Sequence, residues 1–167
     1  MNIHPLFVHF PIAFFITYSV FELIPLKSVK KQSFWFYVKA VLVFSGVLGA
    51  LMAGITGKLA EASYSGLRQL INLHSLINEL ASAVFVLIAF AYLISWLKKS
   101  GFSFSKLGGL SKLVLLYEFI VLKTPFVYLL AITGLILIFI GGALGGAIAY
   151  GPDFDPFTHF IYSLFFR

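Results

Sequence analysis

Four histidines, His4, His9, His74 and His159, are the side chains of this chain best suited to bind haem iron or a borderline metal. The chain has no cysteine and only two methionines, so imidazole is the one strong soft-to-borderline donor available. Without cysteine there is also no disulfide framework, no thiolate metal site and no covalent attachment for a c-type haem. Two histidines at one depth on two helices of a bundle can clamp a b-type haem from both axial sides. Whether they share a depth is decided by the elements that carry them.

Those elements are membrane spans. With 167 residues, a mean hydropathy of +1.01 and 11% charged residues, the chain falls far below the quarter or so of charged residues found in soluble domains. Its length accommodates four spans of about 20 residues with short connections. The sequence predicts an all-α integral membrane four-helix bundle forming one domain over 1–167, with spans at about 5–25, 34–57, 70–97 and 125–150. Pro11 falls in the first turns of the first span, which starts near Pro5. The first apolar run opens at Ile3 with no basic leader before it, so it is expected to persist as a span. Segments 111–123 and 156–167 are apolar but too short to cross, and read as helices at the interface. The net charge of +6 does not point to nucleic acid, because the basic residues lie between apolar runs and form no patch.

Lysines set the orientation. Lys27, Lys30, Lys31, Lys98, Lys99, Lys106, Lys112 and Lys123 follow spans one and three. The opposite side holds Lys58, Arg68 and Arg167, nearly balanced by Glu61, Asp153 and Asp155. The positive-inside rule then places both termini outside the cytoplasm. His4 and His9 open span one, His74 opens span three and His159 follows span four, so all four histidines lie on that side.

His9 and His74 are the expected axial ligands of a haem b. Gly49 and Gly54 of span two and Gly142 and Gly145 of span four would let a porphyrin approach closely. Small residues four apart are equally the ordinary means of packing helices in lipid, which leaves a non-redox subunit assembling through its glycine faces as the alternative. His4, His9 and His74 together could instead bind copper or zinc. Against transport, there is no inverted repeat and no broken span at mid-membrane. Glu79, with Asn78 beside it, is a candidate proton relay, ligand orienter or quinone contact; a hydrogen bond between helices would account for it as well. Glu22 and Glu118 read as partners of nearby lysines. Asp153, Asp155 and His159 form an acidic turn, for which ordinary turn chemistry is favoured over cation binding.

The opening HPLFVHFPIAFF, the small-residue run ending Thr56-Gly57, the third-span LHSLINEL and the closing GGALGGAIAYG resemble, in the same order, the bacterial membrane family known as domain of unknown function 2231. The resemblance covers nearly the whole chain. It implies a four-span membrane protein, carries over His4, His9 and His74, and brings no activity with it. Some members are joined to cytochrome c or Rieske-type modules, which points toward electron transfer. The longer segment before span four and the aromatic tail depart from the pattern. Taken together, the expectation is a b-type haem protein passing electrons near the outer face. Its partners would be the lipid bilayer, redox proteins or quinone, and a second copy of itself; an electron carrier is favoured over an enzyme.

Overall fold

The computed structural model describes residues 4–24, 32–61, 66–123 and 125–166, with the side chains of 106 and 107 left out. Pro25 at the expected end of the first span, and Lys27, Lys30 and Lys31 after it, lie outside the described residues. Six α-helices are present among the described residues: α1 (His4–Leu23), α2 (Phe34–Glu61), α3 (Arg68–Lys99), α4 (Leu110–Lys123), α5 (Phe126–Tyr150) and α6 (Pro156–Phe165). There is no strand among them. The fold is an all-α membrane bundle, in which α1, α2, α3 and α5 are long and apolar enough to cross a bilayer.

The four spans form a square. α1 packs most extensively on α2 and α3 on α5, while the α1–α5 and α2–α3 contacts are slighter. The molecule is thus two tight hairpins laid side by side, with α1 and α3 on the diagonal. These two helices meet through side chains: the Phe15 and Phe85 rings stack with centroids 4.0 Å apart and planes 5° from parallel. Tyr18, Ile88, Val43 and Ala40 complete the core around the stack. Leu48, Leu51, Ile55, Leu129, Ile136 and Phe139 point outward, as lipid-facing residues must.

Pro11 sits within α1. It lacks an amide proton, and its ring would strain an isolated helix. Gly49 of α2 makes room for it: a Cβ built on Gly49 would stand 3.0 Å from Pro11 Cδ.

α4 does not simply lie across the end of the bundle. Its Tyr117 hydroxyl donates to the Leu87 carbonyl at 2.5 Å, and Leu87 is twelve residues before the end of α3, about 18 Å along the helix axis. Lys98 Nζ donates to Glu118 at 2.9 Å. α4 therefore runs along the lysine end of α3, where its carboxylate is buried and neutralised. α6 follows Gly151, whose φ of +94° turns the chain out of α5. Asp155 caps α6, accepting from the amides of Phe157 and Thr158, with Pro156 at the first helical position.

Candidate functional site at the histidine end of the bundle

His4 and His74 open the two diagonal helices, and their rings lie within electrostatic reach of each other. Each is seated on a glycine of its hairpin partner. A Cβ on Gly57 would meet His4 Cε1 at 3.1 Å, and one on Gly145 would meet His74 Cε1 at 3.0 Å. Any larger residue at either position would push the imidazole away.

Both imidazoles present Nδ1 to a protein oxygen. His74 Nδ1 lies 3.0 Å from the Gly141 carbonyl oxygen. A carbonyl can only accept, so Nδ1 carries the proton and the Nε2 lone pair remains. His4 Nδ1 lies 3.1 Å from Thr56 Oγ1. The single Thr56 proton is shared between the Met52 and Ala53 carbonyls, at 3.0 and 3.1 Å. With carbonyl acceptors for its proton, the hydroxyl oxygen is open to an Nδ1–H of His4. The His4 ring faces the Ala53 carbonyl as well. Asn78 Nδ2 donates to the His74 carbonyl at 2.8 Å and stands 3.2 Å from both ring nitrogens. Equidistant from the two nitrogens, the Asn78 amide is not directed along the Nε2 lone pair, and its close acceptor is the His74 carbonyl.

The two half-sites are copies. Phe15 follows His4, and Phe85 follows His74, by eleven residues; Gly57 follows Gly46, and Gly145 follows Gly134, by the same number. Phe15 fills the space over Gly46 as Phe85 does over Gly134. Ala53 and Gly141, the carbonyls that face the two imidazoles, stand four residues before Gly57 and Gly145. A half-turn about the bundle axis thus carries α1 onto α3 and α2 onto α5. The Phe15–Phe85 stack lies on that axis, about 16 Å along the helices from the imidazoles.

Several residues singled out from the sequence lie elsewhere. His9 is exposed, because five residues beyond His4 is about 140° around the helix. The histidine opposite His74 is therefore His4. Glu79, at the position equivalent to His9, is also exposed. Gly54 and Gly142 are exposed with no atom within 4 Å of an added Cβ, and Gly49 is covered by Pro11. Of the four glycines expected beside a cofactor, only Gly145 touches the pair. His4, His9 and His74 do not converge as a metal site, and no cluster of three or more metal-ligating side chains occurs among the described residues. His159 instead contacts Asp153, Nδ1 to Oδ1 at 2.7 Å, in an exposed pair. Thr56, Ala53 and the phenylalanine stack were not singled out; the repeated eleven-residue spacing was the available signal.

A family described as "Predicted membrane protein (DUF2231)" matches residues 1–153. The chain belongs to this family. No curated protein and no solved structure matches it. The DUF2231 match takes in both hairpins and their histidines and stops before α6, so the aromatic helix lies beyond the family's shared region.

Proposed function

We propose that this DUF2231 protein is an electron-transfer protein of the bacterial inner membrane that holds one b-type haem between His4 and His74, near the non-cytoplasmic face. One observation carries the reading: two imidazoles, each with Nδ1 against a protein oxygen, occupy equivalent positions across the bundle axis. An Nδ1 proton given to a protein oxygen orients a ligating histidine, raises its basicity and sets the Nε2 lone pair for a metal. The Gly141 carbonyl does this for His74 and Thr56 does it for His4. Glycines 57 and 145 seat the two rings.

A bound haem would supply one-electron redox chemistry. Two axial imidazoles leave no open coordination position, which favours electron transfer over oxygen or substrate activation at iron. The lysine distribution supports termini outside, and donors or acceptors on that side, soluble or quinone-type, are the partners this placement suits.

The test is a dithionite-reduced minus air-oxidised spectrum of protein purified from haem-replete cells, with haem quantified against protein. Sharp α and β bands at near-unit stoichiometry are expected, lost in His4→Ala and His74→Ala and retained in His9→Ala. A featureless spectrum from folded protein overturns the reading. The second reading, a non-redox assembly subunit, draws on the open, outward-facing Gly54 and Gly142. In that case His4→Ala and His74→Ala leave assembly intact, and Gly142→Leu breaks a membrane complex.

A further inference from the structure

Two ionisable side chains stand on the outside of the bundle, within the spans. His9 of α1 and Glu79 of α3 are both exposed. Each follows the inward-facing histidine of its helix by five residues, about 7.5 Å deeper along the axis. His9 lies about 180° around α1 from buried Tyr18, and Glu79 about 180° around α3 from buried Ile88. Both therefore point directly away from the core, toward lipid. Neither makes a hydrogen bond or ion pair among the described residues. Glu22 and Glu118 differ in this: Lys39 stands 2.6 Å from the first and Lys98 2.9 Å from the second. An ionisable group within a span is costly unless it faces a protein interior or a water-filled cavity, or pairs with another. Within one copy of this chain, His9 and Glu79 have no such partner.

The half-turn that relates the two hairpins carries His9 onto Glu79, because both helices share the offset of 70 residues. A base and an acid thus occupy one depth on opposite faces of the bundle. Their surroundings match as well. Pro5 and Ala13 lie one turn to either side of His9, Ser75 and Ala83 one turn to either side of Glu79, and all four are exposed. Small neighbours let two helix backbones approach closely enough for the polar side chains between them to meet. Only unlike faces satisfy both groups. Glu79 against Glu79 repels, and His9 against His9 leaves the acid in lipid.

We propose that the α1 face around His9 docks on the α3 face around Glu79 of a second copy of this chain. The imidazole N–H of one copy donates to the carboxylate of the next, which a neutral imidazole does as well as a charged one. Because the two faces lie on opposite sides of each copy, the contact is head-to-tail and repeats. Copies line up as a row in the plane of the membrane, and every interior copy pairs both of its ionisable groups. The contact uses neither His4 nor His74 and does not depend on haem.

The chain has no cysteine, so the experiment introduces single ones beside the pair and leaves His9 and Glu79 intact. Full-length Ala13→Cys and Ala83→Cys, carrying different tags, are co-expressed, and their membranes are oxidised with copper phenanthroline. A disulfide between positions 13 and 83 is expected at least several-fold above those joining 13 to 13 or 83 to 83. A chain bearing both substitutions should give a ladder of multiples. Adding Glu79→Leu should cut the 13-to-83 product several-fold, with the melting temperature confirming the fold. The proposal is overturned if like-with-like disulfides equal the 13-to-83 product, which would mean an isologous dimer, or if that product survives Glu79→Leu unchanged. It is equally overturned if no disulfide forms while a lipid-soluble maleimide labels both cysteines, which would leave the two faces to lipid. Haem content is measured separately, so loss of the haem reading leaves this result standing.

Discussion

At the scale of single residues, the glycines divide into those that seat a side chain and those that seat nothing. A Cβ on Gly134 would come within 2.7 Å of the Phe85 ring, which is itself locked in the stack, so Gly134→Ala should destabilise by about 1–3 kcal/mol through overpacking. Gly142→Ala meets open space and should be neutral or stabilise by up to about 1 kcal/mol, from helix propensity alone. Thermal unfolding of the two variants in one detergent checks both, and equal effects would refute the distinction. Gly57→Ala and Gly145→Ala fall between, because each presses on an imidazole edge near 3 Å. Both should leave the fold intact and weaken haem retention by similar amounts, read as haem lost on dilution. That His4 and His74 share one end of the bundle was legible in the sequence from the span count. Which histidine of α1 faces inward was not. A span that is apolar on all sides offers no polar face to set its helical phase, and His4 and His9 differ by about 140° in phase as well as by about 7.5 Å in depth.

At the scale of elements, α4 and α6 were legible as short helices, but their anchoring was not. Glu118, read from the sequence as a lysine's partner, pairs with Lys98, and the pair is one-sided: Glu118 is 4% exposed along its side chain while Lys98 is 47% exposed. Removing the lysine strands a buried carboxylate, whereas neutralising the acid removes the need for a partner. Lys98→Met should therefore lower the melting temperature more than Glu118→Gln does, and the reverse order would mean α4 is held mainly by Tyr117 and its apolar face. α6 depends on its cap. Asp155 accepts from two amides and from the Thr158 hydroxyl at 2.5 Å, and these hydrogen bonds, that from the Thr158 side chain foremost, hold its carboxyl below the ordinary value of 3.8. A depressed folded value means the cap is complete at neutral pH and is lost as pH falls below 3.8 through that value. Amide exchange in α6 should accelerate over that acid range while α5 stays protected, and Asp155→Ala should produce the same fraying at pH 7.

At the scale of the whole molecule, the organising fact is the repeated hairpin, and its concealment in the sequence has a physical cause. The first helices of the two halves are offset by 70 residues and the second helices by 88. The second hairpin contains α4 where the first has a short connection, so no single shift superposes the halves. In lipid most positions need only be apolar, and the residues that kept their identity, His4 and His74, Phe15 and Phe85, Gly46 and Gly134, Gly57 and Gly145, are those that touch the axis or the partner helix. Equivalence of the halves makes a demanding prediction about the stack between them. Phe15→Ala and Phe85→Ala each empty a buried ring's volume at matched positions and should each cost about 3–5 kcal/mol, by nearly the same amount. Because the rings face each other at 4.0 Å, the double variant should cost less than the sum by about 0.5–1.5 kcal/mol, the range of aromatic pair couplings. The stack lies eleven residues from each imidazole, so either single variant should affect haem retention to the same degree, by the same readout as the glycine pair. Additive stabilities, or haem loss confined to one of the two, would show that the halves repeat a sequence pattern without sharing one mechanical centre.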